Sequence, residues 1–243
     1  VNPALQQEDE RHLITRQALL DGTFLARARS IPGVVALTDE ELEDSLGRSL
    51  VAASSEDGIW IFAYGSLIWN PAFEYEVRVA AYADGWHRSF CLSAPFGRGT
   101  PESPTLFLAL NQGGRAEGVA YKLPKGRERE ELLLVWRREM FTSGYQAEWI
   151  RVVTPTETLR ALAFVANPLS PSFVGELSAE AVAERLFRAR GPLGTALEYL
   201  FDTIRHLEQI NLNDEHLGEV KKHVDRISAR PISSITSGPS GTC

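Results

Sequence analysis

Two segments carry residue types in a spacing that chemistry can use. The first is Ile61-Phe62-Ala63-Tyr64-Gly65-Ser66-Leu67, an apolar run that passes into Gly-Ser. Glycine has no Cβ, so a ligand can approach the backbone at Gly65. Successive N–H groups beyond it can form a nest for an anion such as a carboxylate. The plainer structural reading of the same residues is a strand that ends in a glycine turn. Ser66 is a poor nucleophile, because it lacks the flanking glycines of a Gly-x-Ser-x-Gly elbow and has no evident His and Asp partners. The second segment centres on Glu139. Leu132, Trp136 and Glu139 stand at i, i+4 and i+7, on one helix face shared with apolar Leu133 and Met140. A carboxylate on an inward face loses hydration, which raises its pKa toward that of a useful general base. The competing readings are a buried glutamate paired with Arg137 or Arg138, or one that reaches solvent at the helix end. Tyr145, after the helix-stopping Gly144, either brings a hydroxyl near Glu139 or simply packs.

Other groups carry less. Arg98, within Phe96-Gly97-Arg98-Gly99-Thr100, is either a partner for a substrate carboxylate or a solvated loop arginine. That segment is too short for a dinucleotide fingerprint, and no P-loop or Rossmann motif is present. His87 alternates with apolar residues along a strand pattern and reads as a packed or surface histidine. The five histidines are scattered, with no His-Glu-x-x-His, so a zinc site has little support. Cys91 and Cys243 make neither a CxxC pair nor a disulfide framework. The net charge of 25 − 32 = −7 disfavours nucleic acid as a partner, since phosphate neutralisation dominates such binding. No apolar run approaches the roughly 18 residues of a membrane span. Residues 1–11 are polar and acidic, unlike a secretory signal, so the expected compartment is cytoplasmic.

The elements that must position these groups follow from periodicity and turn signals. Residues 16–29 have a helical pattern broken at Gly22, and Thr38 with Glu41 forms a capping box for a helix running to about Ala53. Short strands are expected at 59–64, 77–82, 87–93, 105–110, 117–123, 146–153 and 159–166, which suggests a barrel or strongly curved sheet. One helix, 125–142, interrupts them and carries Glu139. Three further helices are expected from Ser178 to near Gly191, from about 195 to 210 and from about 214 to 227. The fold class is therefore α+β, a small β-barrel with flanking helices. The chain divides into a helical N-terminal extension packed on the core at 1–58, a barrel domain at 59–230 and a disordered tail at 231–243.

Taken together, the motifs resemble the ChaC-type family of glutathione-specific γ-glutamylcyclotransferases, most closely its bacterial branch. The matching segments are Trp60-Ile61-Phe62-Ala63-Tyr64-Gly65-Ser66-Leu67-Ile68-Trp69-Asn70-Pro71, Gly85-Trp86-His87-Arg88, Gly97-Arg98-Gly99-Thr100, Gly118-Val119-Ala120-Tyr121-Lys122-Leu123-Pro124, Trp136-Arg137-Arg138-Glu139-Met140 and Gly191-Pro192-Leu193-Gly194-Thr195. Each alone is a weak match; all of them in the family's order are specific. The resemblance implies the γ-glutamylcyclotransferase-like barrel, with Glu139 as the catalytic acid/base. It implies that Tyr64, Gly65, Ser66 and Leu67 bind the γ-glutamyl part of glutathione and that Ile61, Phe62, Ala63 and Tyr145 are further substrate-binding residues, with Arg88, Arg98 and Tyr145 as candidates for the Cys-Gly half and no metal or cofactor. The family usually has glycine where this chain has Ala63. Leu67, where the broader γ-glutamylcyclotransferases usually have Asn, favours the glutathione-specific branch. Two alternatives stand beside it: action on other γ-glutamyl amino acids or amines, and a non-catalytic γ-glutamyl-binding module.

Overall fold

A computed structural model describes residues 14–53 and 58–229. The polar stretch at 1–11 and the expected tail at 231–243, including Cys243, lie outside the described residues. Helices α1 (Arg16–Leu20), α2 (Thr23–Arg29) and α3 (Asp39–Val51) precede the sheet. Gly22, at φ 79°, takes the left-handed conformation that separates α1 from α2. At α3 the Thr38 hydroxyl accepts from the Glu41 amide while the Glu41 carboxylate accepts from the Thr38 amide, so the expected capping box forms.

Strands β1 (Trp60–Ala63), β2 (Val77–Ala94), β3 (Thr105–Lys122), β4 (Tyr145–Val153) and β5 (Thr158–Ala166) close a barrel in the order β1-β3-β2-β4-β5. Parallel pairing of Ile61 with Leu162 seals β1 against β5. The expected strands at 77–82 and 87–93 are one strand, and so are those at 105–110 and 117–123. The glycines between them are bulges rather than turns. Register passes from Asp84–Arg115 to Trp86–Gln112, so Gly113 and Gly114, both at positive φ, oppose Gly85 alone. A second shift between Phe90–Leu108 and Leu92–Phe107 leaves Cys91 as the extra residue. Each bulge bends the long hairpin and increases its twist, which lets two 18-residue strands wrap the barrel.

Helix α4 (Glu128–Glu139) is shorter at both ends than the 125–142 expected, because Arg127 at φ −124° and Met140 at φ −102° leave helical geometry and stand as its caps. Leu132 and Trp136 are fully buried. The Trp136 ring meets Phe164 of β5 edge-on at 5.6 Å, and its indole N–H donates to Ser45 of α3 at 2.8 Å. Helix α4 is thus held between the barrel and α3. Leu25, Leu42 and Leu46 of the N-terminal helices belong to the same buried cluster as the barrel. Helices α5 (Ala179–Arg188), α6 (Ala196–Gln209) and α7 (Glu215–Ser228) follow, capped by the side chains of Ser178, Thr195 and Asp214. A short ribbon, β6 (Arg190–Gly191) with β7 (Gly194–Thr195), precedes α6.

Candidate active site

Strand β1 delivers Tyr64 to the barrel end, and the chain then makes a 3-10 turn, Ser66–Ile68. The Ile68 and Asn70 amides donate back to the Gly65 and Ser66 carbonyls, each at 2.9 Å. The leading amides of such a turn have no acceptor within it, so those of Ser66 and Leu67 are available. Gly65 is needed for close approach. A Cβ there would lie 3.1 Å from the Tyr199 hydroxyl and 3.8 Å from Leu108.

A buried arginine fixes this loop. Arg88 is 1% exposed; its Nε donates to the Tyr64 carbonyl at 2.6 Å and one Nη to the Glu117 carbonyl. Its other Nη pairs with Asp214 at 2.8 Å, and the same Asp214 accepts from the Leu217 amide and caps α7. Helix α7 therefore braces the loop through one guanidinium. The Tyr121 hydroxyl lies 3.2 and 3.0 Å from the carbonyls of Leu67 and Ile68 on the far side.

Glu139 is the last residue of α4 and keeps 15% of its side-chain exposure. Burial pushes its carboxyl above the ordinary value, and the adjacent Arg138 guanidinium, 2.9 Å away, only partly offsets this. A helix C-terminus also disfavours negative charge. Arg138 does more than pair. Its guanidinium donates to Ser66 Oγ at 2.7 Å and to the Asn70 carbonyl, tying the loop to the helix that carries Glu139. The sequence offered Arg137 as an equal partner, but Arg137 points to the carbonyls of Leu19 and Leu20 in α1.

Tyr64, Gly65, Ser66, Leu67, Glu139 and Tyr145 share one cavity, and Leu108, Phe164 and Tyr199 complete its wall. Ile61, Phe62 and Ala63 do not line it; they are fully buried in β1 and aim the loop rather than face the cavity. Arg98 lies on Thr195 and Glu198, and His87 pairs with Glu176. Tyr199, which sequence reasoning does not single out, carries a helical-spacing signal. It sits on α6 between Ala196 and Thr203, both buried, at inward-facing helical spacing.

The Tyr64 hydroxyl donates to the Phe164 carbonyl and the Tyr145 hydroxyl to the Leu108 carbonyl, the latter at 2.9 Å. Burial pushes Tyr64 and Tyr145 well above the usual phenol range and Tyr199 up to about 12, so all three remain protonated donors near neutral pH. No histidine lines the cavity, and Ser66 Oγ is occupied by Arg138. The site thus offers a desolvated carboxylate, backbone amides and neutral phenols. That set suits proton transfer on a bound molecule that brings its own nucleophile.

A family model described as ChaC-like protein matches residues 59–227. The chain is 35% identical over 218 residues to the glutathione-specific gamma-glutamylcyclotransferase of Escherichia coli (strain K12), covering 89% of this chain and 94% of that protein. It is 31% identical over 169 residues to glutathione-specific gamma-glutamylcyclotransferase 1 of Homo sapiens, covering 67% of this chain and 76% of that one. The fold resembles the crystal structure of a γ-glutamyl cyclotransferase specific to glutathione from yeast. The TM-score is 0.64 at 22% identity, covering 70% of this chain and 96% of that one.

Proposed function

The chain belongs to the ChaC-like family, and from that membership we propose that it is a glutathione-specific γ-glutamylcyclotransferase. The unit that does this work spans 59–230, with 1–58 as an extension packed on it. The compartment is cytoplasmic and the substrate is glutathione. The reaction is a lyase-type cyclisation. The α-amino nitrogen of the γ-glutamyl residue attacks its own γ-carbonyl carbon, closing a five-membered lactam. The bond to the cysteinyl nitrogen breaks, and 5-oxoproline and Cys-Gly leave.

The attacking amine must be neutral, yet its reference pKa is about 7.7–8.0. Glu139 takes a proton from it as the new C–N bond forms, then gives that proton to the departing amide nitrogen. The nucleophile belongs to the substrate, so the protein needs no reactive Ser or Cys. Its main task is to hold the glutamyl chain folded, which makes use of intramolecular proximity. The amides of Gly65, Ser66 and Leu67 receive the substrate's α-carboxylate. Tyr64 and Tyr145, their protons committed to β5 and β3, shape the walls around the glutamyl methylenes.

The observation that carries this reading is the convergence of the desolvated Glu139 carboxylate and the Gly65–Leu67 backbone on one cavity, linked by Arg138. Glu139→Gln keeps the shape and an oxygen acceptor for Arg138 but removes the base. Turnover of glutathione falls by at least about 10²-fold, the lower range for general-base removal, while binding measured by calorimetry persists. Near-wild-type turnover in that variant would remove Glu139 from the role.

A further inference from the structure

The cavity holds three phenols, and their hydrogen bonds set them apart. A phenol has one proton to donate. Tyr64 gives its proton to the Phe164 carbonyl and Tyr145 gives its own to the Leu108 carbonyl. The Tyr199 hydroxyl has no hydrogen-bond partner among the described residues, although it lines the same cavity. The hydroxyl is not among the fully enclosed side-chain atoms left without a partner, so it is a donor open to whatever occupies the cavity.

Its position says which acceptor. The Tyr199 oxygen stands 3.1 Å from the place a Gly65 Cβ would occupy, directly over the loop whose amides face the cavity. The ring is held rather than loose: Phe90 meets it edge-on at 6.3 Å and Trp69 lies tilted against it at 5.9 Å. Trp69 is itself stacked on His206 of the same helix at 5.0 Å. A donor fixed in this way does not have to reorganise as charge develops.

We propose that Tyr199 is a further catalytic residue, donating a hydrogen bond to the γ-carbonyl oxygen of the substrate and stabilising the oxyanion of the tetrahedral intermediate. The inference rests on the cyclotransferase reading above. When the amine adds, the carbonyl π pair moves onto oxygen, and the Tyr199 O–H bond points at that developing charge. When the intermediate collapses, the pair returns to carbon and the cysteinyl nitrogen leaves with the proton held by Glu139. Tyr199 keeps its own proton throughout, in keeping with a phenol that burial pushes up to about 12.

The test is steady-state kinetics of Tyr199→Phe on glutathione, with the thermal midpoint measured beside it. The expected result is a fall in kcat of about 10²–10³-fold, the usual effect of losing one oxyanion donor, with KM within a few-fold of wild type and folding intact. A kcat equal to that of wild type would overturn the role. So would a raised KM at constant kcat, which would make the hydroxyl a ground-state contact. A wild-type protein that does not turn over glutathione would overturn the cyclotransferase reading and this inference together. An active wild type with an unimpaired Tyr199→Phe would overturn the inference alone.

Discussion

Helix α4 carries two shielded glutamates whose surroundings push them in opposite directions. Glu131 is also desolvated, but Arg16 at 2.5 and 2.7 Å, the Glu74 amide at 2.8 Å and Arg127 at 2.9 Å outweigh that and hold it below the ordinary carboxylate value. Glu139 has one cation, shared with Ser66 and Asn70, and burial wins. The first is held as a structural ion, and the second has the raised carboxyl that the proposed base requires. With Glu139 as the proposed base, activity falls as pH drops through its raised pKa, and the acid limb of kcat/KM lies above the ordinary carboxylate range. Arg138 favours the charged form, so Arg138→Met moves that limb to still higher pH, and Arg138→Lys restores part of the shift. A pH–rate profile checks this; a limb that stays in place in Arg138→Met would detach Arg138 from the base. The sequence marked Glu139 because its helical spacing from Leu132 and Trp136 is readable from one segment. It could not choose between Arg137 and Arg138, since that depends on where α1 and the 64–70 loop pack.

At the scale of elements, the site is a meeting of chain ends braced from behind. Glu131 links α4 to α1 through Arg16 and to the segment before β2 through the Glu74 amide. Glu131→Gln leaves those donors without a charged acceptor and destabilises the fold by about 2–3 kcal/mol near neutral pH. The sign of the pH dependence follows from the depressed pKa: the stabilisation is present above the unfolded value and is lost as pH falls through the lower folded one. The gap between wild type and Glu131→Gln, read from urea unfolding, therefore narrows below about pH 4. A gap that stayed constant to pH 3 would contradict the assignment. Much at this scale was readable, because caps such as Thr38, Ser178 and Asp214 act within a few residues of themselves. The strand breaks that the sequence predicts at its glycines do not form, since Gly85 and Gly113-Gly114 have the chemistry of a turn but oppose each other as a bulge in a continuing ladder. Only the pairing partner distinguishes the two.

On the scale of the whole molecule, the barrel closes so that β1 and α4, 76 residues apart from Ala63 to Glu139 (139 − 63), end at one cavity. Helix α7 braces the loop through Asp214 and Arg88, while α6 brings Tyr199 over it. Those contributions come from the last third of the chain and are long-range contacts, which is why sequence spacing reads the loop and the inward Glu139 but not the side chains that brace them. Among the described residues no helix is long and apolar enough to cross a membrane. The central claim is that this arrangement folds the γ-glutamyl chain of glutathione onto itself. The most direct measurement is to incubate the purified, metal-free protein with reduced glutathione, with γ-glutamyl-alanine in parallel, and to follow 5-oxoproline and the released amine by mass spectrometry. The account predicts 5-oxoproline and Cys-Gly in equal amounts from glutathione and little or no 5-oxoproline from γ-glutamyl-alanine. Comparable turnover of both would contradict the specificity, and no product from either by the folded protein would contradict the catalytic reading itself.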